Sequence, residues 1–321
     1  MHRRTLAALL AAPGIARAQA DWPTRPVNIL VPFVAGGPSD LVARAIALRM
    51  PERIGGQTVV AENRPGANGA VAAQYLARQA PDGHTLMVGS IGVYAINTAL
   101  RPNLGYDPVR DFTPITLAVT TPNVLVVNPA RVDVRTPAEF LAWLRANGPR
   151  ASYSTSGVGS SDQLTTELFK LRTQTEATHI PYQGGAAAAT ALLAGDVQLS
   201  FQNLGTVAGH IAGGRLRAIM QTGRARHAVL PDVPTAIEAG FADFDVTSWQ
   251  AVMAPAGMAP ALHARVADAV RGALDHAETR QRLGAIGLDV VANTPAEYSA
   301  FQQAEIARWR EVVRVANIRA E

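Results

Sequence analysis

Short β-branched runs alternate with longer Ala- and Leu-rich stretches of helical period, and the alternation occurs twice along the chain. Residues 27–31, 58–62 and 85–89 read as strands, with helices over 41–50 and 70–79 between them. This strand–helix–strand order calls for parallel strands joined by right-handed crossovers, because a tight hairpin can only join antiparallel neighbours. A second series begins near Asn123, with strands over 151–155, 179–181, 197–201 and 216–221 and helices over 161–171 and 186–194. The chain then returns to helix over 260–277 and 295–315, both opening on proline. The pattern predicts an α/β fold of two units in tandem.

The N-terminus is built differently. His2, Arg3 and Arg4 give a basic start, residues 5–13 an apolar run, and Ala18-Gln19-Ala20 a small-x-small pattern. Together these predict a secretory signal over residues 1–20, cleaved after Ala20, and a periplasmic protein. The run is far shorter than the roughly 18 to 20 residues that span a bilayer, so no membrane insertion is expected. Loss of the signal removes Arg3, Arg4 and Arg17, which turns 29 basic against 25 acidic side chains into 26 against 25. The remaining arginines are spread along the chain, whereas nucleic-acid binders cluster them on one face, so no nucleic-acid partner is expected. The chain has no cysteine, so an exported protein of this size relies on its core and not on disulfides.

Ligands of open α/β sheets bind outside the carboxyl ends of the strands. The first such junction is Pro32-Phe33-Val34-Ala35-Gly36-Gly37-Pro38-Ser39-Asp40. Gly36 and Gly37 permit a tight turn, Ser39 or Asp40 is placed to cap the next helix, and the free N–H groups there favour an anion. The second runs from Ser154 to Asp162, with five hydroxyls and two glycines in nine residues. Neither loop contains Lys or Arg, so a bound carboxylate would be held by backbone amides, hydroxyls, helix ends and bridging water.

Around these loops the sequence resembles the Bordetella uptake gene family, the solute receptors of tripartite tricarboxylate transporters. The matching stretches are Trp22-Pro23-Thr24-Arg25-Pro26, Val31-Pro32-Phe33 through Gly37, Asp40 to Arg44, Glu62-Asn63-Arg64-Pro65-Gly66-Ala67 and Pro81-Asp82-Gly83-His84-Thr85-Leu86. They continue with Asp111-Phe112, Tyr153 to Ser160, His179-Ile180-Pro181-Tyr182-Gln183-Gly184, Leu230 to Thr235, Glu238-Ala239-Gly240 and Trp249.

The resemblance implies a periplasmic-binding-protein type II (Venus flytrap) fold, with two α/β lobes of parallel-rich sheets joined by two crossing strands. Lobe 1 would hold residues 21–122 and 249–321, and lobe 2 residues 123–248. It also implies a small organic acid as ligand, a di- or tricarboxylate or a related acid, passed to the membrane permease subunits of such a transporter. Carried over by position, lobe 1 contacts would be Phe33, Ala35, Gly36, Gly37, Ser39, Asp40, Asn68 and Ser90. From lobe 2 they would be Ser156, Gly157, Gly159, Ser160, Tyr182 and Gly184. Two positions depart from the family: Asp162 stands where members commonly have His, and Gln202, also a candidate contact, where they commonly have an acid. Gln202 argues for a simple or hydroxylated carboxylate over an amino acid; Asp162 argues the other way if it faces the cleft, and is otherwise a helix cap. A sensor that presents its ligand to a signalling receptor would share the same fold.

No enzyme is expected. Gly157-Val158-Gly159-Ser160-Ser161 lacks the last glycine of a hydrolase nucleophile elbow. The only lysine, Lys170, falls in a predicted helix and not in a phosphate loop. The six histidines after the signal form no HExxH or HxH pattern, so no cofactor or metal is expected. His179 reads as a packing residue or a backbone partner. Trp143, Trp249 and Trp309 read as core, with Trp249 also a candidate for the cleft or hinge.

Overall fold

A computed structural model describes residues 22–101, 103–315 and 318; the predicted signal lies outside the described residues. In chain order, β1 (Val27–Val31), α1 (Pro38–Arg49), β2 (Val59–Asn63), α2 (Ala70–Leu76) and β3 (Thr85–Ser90) come first. A wide helical turn at Gly92–Ile96 leads into α3 (Asn97–Leu100), followed by β4 (Phe112–Val127) and α4 (Pro137–Asn147). Next are β5 (Ser152–Thr155), α5 (Ser161–Thr173), β6 (Thr178–Pro181), α6 (Gly185–Ala194), β7 (Leu199–Asn203), α7 (Leu204–Ala212) and β8 (Arg217–Gln221). The chain ends with β9 (Thr247–Pro255), α8 (Pro260–Leu274), α9 (Ala277–Gly284), β10 (Asp289–Val290) and α10 (Pro295–Val315).

The strands run in the order β2-β1-β3-β9-β4-β7-β5-β6, with β10 and β8 also paired to β4. β1 lies parallel to β2 and β3, and β5 parallel to β6 and β7, as the crossover pattern requires. The sheet as a whole is mixed, because β9 runs antiparallel to both β3 and β4, and β4 antiparallel to β7 and β8.

One 16-residue strand holds the molecule together. Over Phe112–Pro122 β4 pairs with β9, and over Asn123–Val127 it pairs with β7 and β8. Pro114, which has no N–H for the ladder, sits beside a register shift, where a missing donor costs least. The start of β9, Thr247, lies opposite Pro122, so the chain crosses between two halves twice.

Each half has two hydrophobic cores, one on either face of its strands. In the half with β1–β3, α1 and α8 cover one face, and α2, α3 and α10 the other. In the second half, Phe140, Phe169, Phe201 and Phe244 pack under α4 and α5, while α6 and α7 close the opposite face. Trp249 and Trp309 are each 1% exposed, and both indole N–H groups donate to Glu305 Oε2, at 2.8 and 3.0 Å. Trp249 is therefore core and not cleft wall. Trp143 packs on Phe140 at the edge of its core.

Candidate functional site

The carboxyl ends of the parallel strands in both halves point at one place. The β1–α1 loop and Ser90 at the end of β3 approach from one side. The β5–α5 loop, the start of α6 and Asn203 at the end of β7 approach from the other. Between them lies a narrow cavity of about 30 Å³, well below the roughly 300–1,000 Å³ usual for small-molecule sites, so the halves stand closer together than a bound organic acid would leave them. A wider cleft of about 720 Å³ lies between the stretch from Thr98 to Asp111 and α10. Its wall comes from one half only, so movement of the halves would not enclose it.

The halves touch around the smaller cavity. Val34 N–H donates to Gln183 O at 3.4 Å. A Cβ added at Gly159 would stand 3.0 Å from Asn97 Oδ1, and one at Gly184 3.2 Å from Phe33 Cβ. Both glycines have positive φ, +87° and +115°, so side chains are disfavoured there by conformation as well as by contact. The arrangement is closed.

Of the residues singled out from the sequence, Phe33, Gly37, Ser39, Asn68, Ser90, Ser156 and Ser160 line the cavity. Ala35, Gly36, Asp40, Gly157, Gly159, Tyr182, Gly184 and Gln202 stand outside its wall; Ala35 and Gly36 are exposed, and Gly157, Gly159 and Gly184 form the contact between halves. The wall also contains Pro38, Ile91, Ser161, Asp162, Gly185, Asn203, Ser248 and Gln250. Ser248 and Gln250 come from β9, whose place beside the cavity follows from the double crossing and from no local motif. Asn203 has a local signal of its own, an Asn that ends a strand just before a helix.

Neither Ser39 nor Asp40 caps α1. The N-cap is Gly37, and Pro38 at the first helical position has no N–H to satisfy. Asp40 instead reaches back to accept from Gly36 N–H at 2.9 Å, and it also takes Arg44 Nε at 2.9 Å and Asn63 Nδ2 at 3.0 Å. Burial pushes its carboxyl up, but the hydrogen bonds from Arg44, Gly36 and Asn63 outweigh this and hold its pKa below the ordinary aspartate value. Asp40 thus shapes the glycine loop. Ser39 Oγ donates to Gln250 Oε1 at 2.7 Å, fixing the helix start to β9.

Asp162 is not the helix cap either. Ser160 caps α5 through Gln163 N–H. Asp162 Oδ2 accepts from Ser156 N–H at 2.7 Å, Ser156 Oγ at 2.8 Å and Gln202 Nε2 at 3.0 Å. Burial pushes its carboxyl above the ordinary aspartate range, against hydrogen bonds from Ser160 and Ser156 that pull it down. His179 stays off the wall: it stacks on Tyr153 at 5.0 Å, and its ring nitrogens contact the Thr155 hydroxyl and the Gln163 amide, not backbone.

No Lys or Arg lines the cavity. Four helices of nine or more residues, α1, α5, α6 and α7, begin in its wall or are capped from it. First-turn N–H groups have no partner within their helix, and each helix start carries roughly half a positive charge. The cavity is therefore suited to an anion held by dipoles and hydroxyls.

A family profile described as the tripartite tricarboxylate transporter family receptor matches residues 42–318. The chain belongs to this family. The protein BugT of Bordetella pertussis is 34% identical over 308 residues, covering 95% of this chain and 94% of its own. Among solved structures, a Rhodopseudomonas palustris protein with adipate is 35% identical with a TM-score of 0.89, covering 93% of this chain and 99% of its own. MatC from the same organism, with bound malate, is 34% identical with a TM-score of 0.86 and covers 91% and 100%. The periplasmic binding protein BugD, 29% identical, has a TM-score of 0.89 and covers 94% and 100%. The receptor family places the chain among periplasmic solute-binding proteins with the two-lobed type II fold, and not among enzymes. Among the described residues no helix is long and apolar enough to cross a membrane.

Proposed function

We propose that this receptor captures a small organic acid in the periplasm, after removal of residues 1–20, and delivers it to the permease subunits of a tripartite tricarboxylate transporter. The observation that carries the reading is the cavity itself: helix N-termini and hydroxyls from both halves, with no cation. Relatives solved with adipate and malate support the same ligand class.

Lobe 1 is assigned to residues 21–122 with 249–321, and lobe 2 to 123–248, which agrees with where β4 changes partners. The ligand carboxylate sits against Ser39, Ser90, Ser156 and Ser160 and the starts of α1, α5 and α6. Gly37 provides room, and Asn68 and Phe33 close the first-lobe side. Gly36, Gly157, Gly159 and Gly184 act by allowing the lobes to meet. An anion interacts with both sets of helix ends only when the lobes are closed, so binding shifts the population towards the closed form that the permease reads.

The test is a thermal-shift screen of residues 21–321, freed of carried-over ligand, against mono-, di- and tricarboxylates, acidic amino acids and aromatic acids. A ligand at 100 times its Kd stabilises by roughly 2.7 kcal/mol. A shift from at least one acid is expected; no shift across the panel, in folded protein, contradicts the carboxylate reading.

A further inference from the structure

The cavity wall contains one ionisable side chain, Asp162, which is 1% exposed. We propose that Asp162 determines the receptor's selectivity: the captured acid carries, besides its carboxylate, a hydroxyl or ammonium group whose hydrogen Asp162 accepts. The proposal rests on the carboxylate reading above and narrows it.

Three observations lead there. The Ser156 N–H and hydroxyl and the Gln202 amide meet Asp162 at one oxygen, Oδ2, and fix the carboxyl group in place. Asn68, 9% exposed and in the same wall, has a buried Oδ1 with no hydrogen-bond partner, while its Nδ2 is engaged by Asn97 at 3.3 Å. A buried acceptor left unpaired is unfavourable until a donor reaches it. The third is charge. With no Lys or Arg in the wall, only the helix starts and hydroxyls offset an acid's charge, and a second carboxylate placed beside Asp162 gains no cationic partner. A hydroxyl or ammonium group meets the acceptors, and an ammonium also offsets charge, so selectivity follows from what the site leaves unpaired.

Gln202 contributes from behind the wall. It is fully buried, and its amide donates to Asp162 and to Ser200 Oγ, both at 3.0 Å. It is a positioning residue for Asp162 and does not contact the ligand.

Calorimetric titration of residues 21–321 with two matched series tests this: succinate, malate and aspartate, and propionate, lactate and alanine. In the wild type a hydroxyl- or amino-bearing member of at least one series is expected to bind at least ten-fold more tightly than its unsubstituted counterpart. Asp162→Asn keeps the shape; with its oxygen towards Ser156 and Gln202 it presents N–H where the second carboxylate oxygen stood. That variant is expected to bring the preference within about three-fold or invert it. Unsubstituted acids, adipate included, that bind as tightly as or more tightly than every substituted acid overturn the proposal and leave the receptor reading intact. They would mark Asp162 as protonated and donating. A variant that weakens all members equally also overturns it, reducing Asp162 to a brace for the β5–α5 loop. If no acid binds, both readings fall.

Discussion

Gly159 offers the sharpest test of closure, because an added methyl group there meets the opposite lobe. The Cβ of Gly159→Ala would stand 3.0 Å from Asn97 Oδ1 and 3.2 Å from both Asn68 Nδ2 and Leu100 Cδ1. Two effects of different kind are expected. The positive φ of +87° strains any side chain by roughly 1–2 kcal/mol, whether the cleft is open or closed. The contact with Asn97, Asn68 and Leu100 exists only in the closed form, where overpacking costs roughly 1–3 kcal/mol. The strain lowers thermal stability by roughly 2–8 °C. The contact raises the Kd by roughly five- to 150-fold. Gly240→Ala separates the two, since Gly240 has a similar φ of +93° but open space around its Cβ. It should lose stability and keep its affinity. Kd from calorimetry and Tm from scanning calorimetry are read on both variants. Wild-type affinity in Gly159→Ala would refute the claim that the ligand is bound by the closed form.

Three further outcomes follow from the same contacts. Glu305→Ala leaves the indole N–H groups of Trp249 and Trp309 without their acceptor, at roughly 1–3 kcal/mol each, and should lower the urea midpoint more than Glu305→Gln, which keeps a carbonyl; equal stability of Glu305→Ala and wild type would contradict this. Burial, with Lys170 adding to it against Glu167, lowers the His179 pKa from 6.5 to about 4. The folded state therefore resists a proton that the unfolded chain accepts, so His179 should contribute a loss of stability as pH falls from about 6.5 towards 4 and none above that window. The Tm difference between wild type and His179→Gln, followed across this range, should shift against the wild type on acidification, and a constant difference would rule the effect out. Ser39→Ala leaves Gln250 Oε1 without its donor and should weaken ligand binding while the isosteric Ser39→Cys weakens it less; equal affinities in the titration would show that the link between α1 and β9 does not position the site.

The elements that the sequence predicted best are those with strong local signals. β1 matches residue for residue, and α10 starts at Pro295, where proline occupies the first helical turn. α1 begins three residues before the expected position, because its cap is a glycine with no side chain to mark it. β4 was expected only from about Asn123, since Pro114 and Pro122 break the strand pattern that in fact starts at Phe112. α4, α7 and α9 were not anticipated, and the helix expected over 260–277 ends at Leu274, where α9 begins separately after a short break. The antiparallel pairing of β9 is a property of the return crossing, which no local periodicity encodes.

The site divides in the same way. Ser39, Ser156 and Ser160 were legible because they sit at strand-to-helix junctions, and such junctions carry a composition. Ser248, Gln250 and Asn203 reach the cavity only through the three-dimensional path of β9 and β7. The sequence favours Asp162 as the helix cap over the wall, and the structure reverses this, since cap and wall positions lie within a single turn of helix. The Ser160 hydroxyl takes the cap and leaves Asp162 to the wall.

The most direct test of the central claim is the titration of one acid that stabilises the wild type into Gly37→Val. Gly37 lines the cavity, has an ordinary φ of −87°, and has nothing within 4 Å of its added Cβ. The side chain should therefore enter the ligand's space without disturbing the fold. A wild-type Tm for the ligand-free variant, with affinity reduced at least 100-fold, is the predicted result. Unchanged affinity would place the ligand elsewhere and contradict the account.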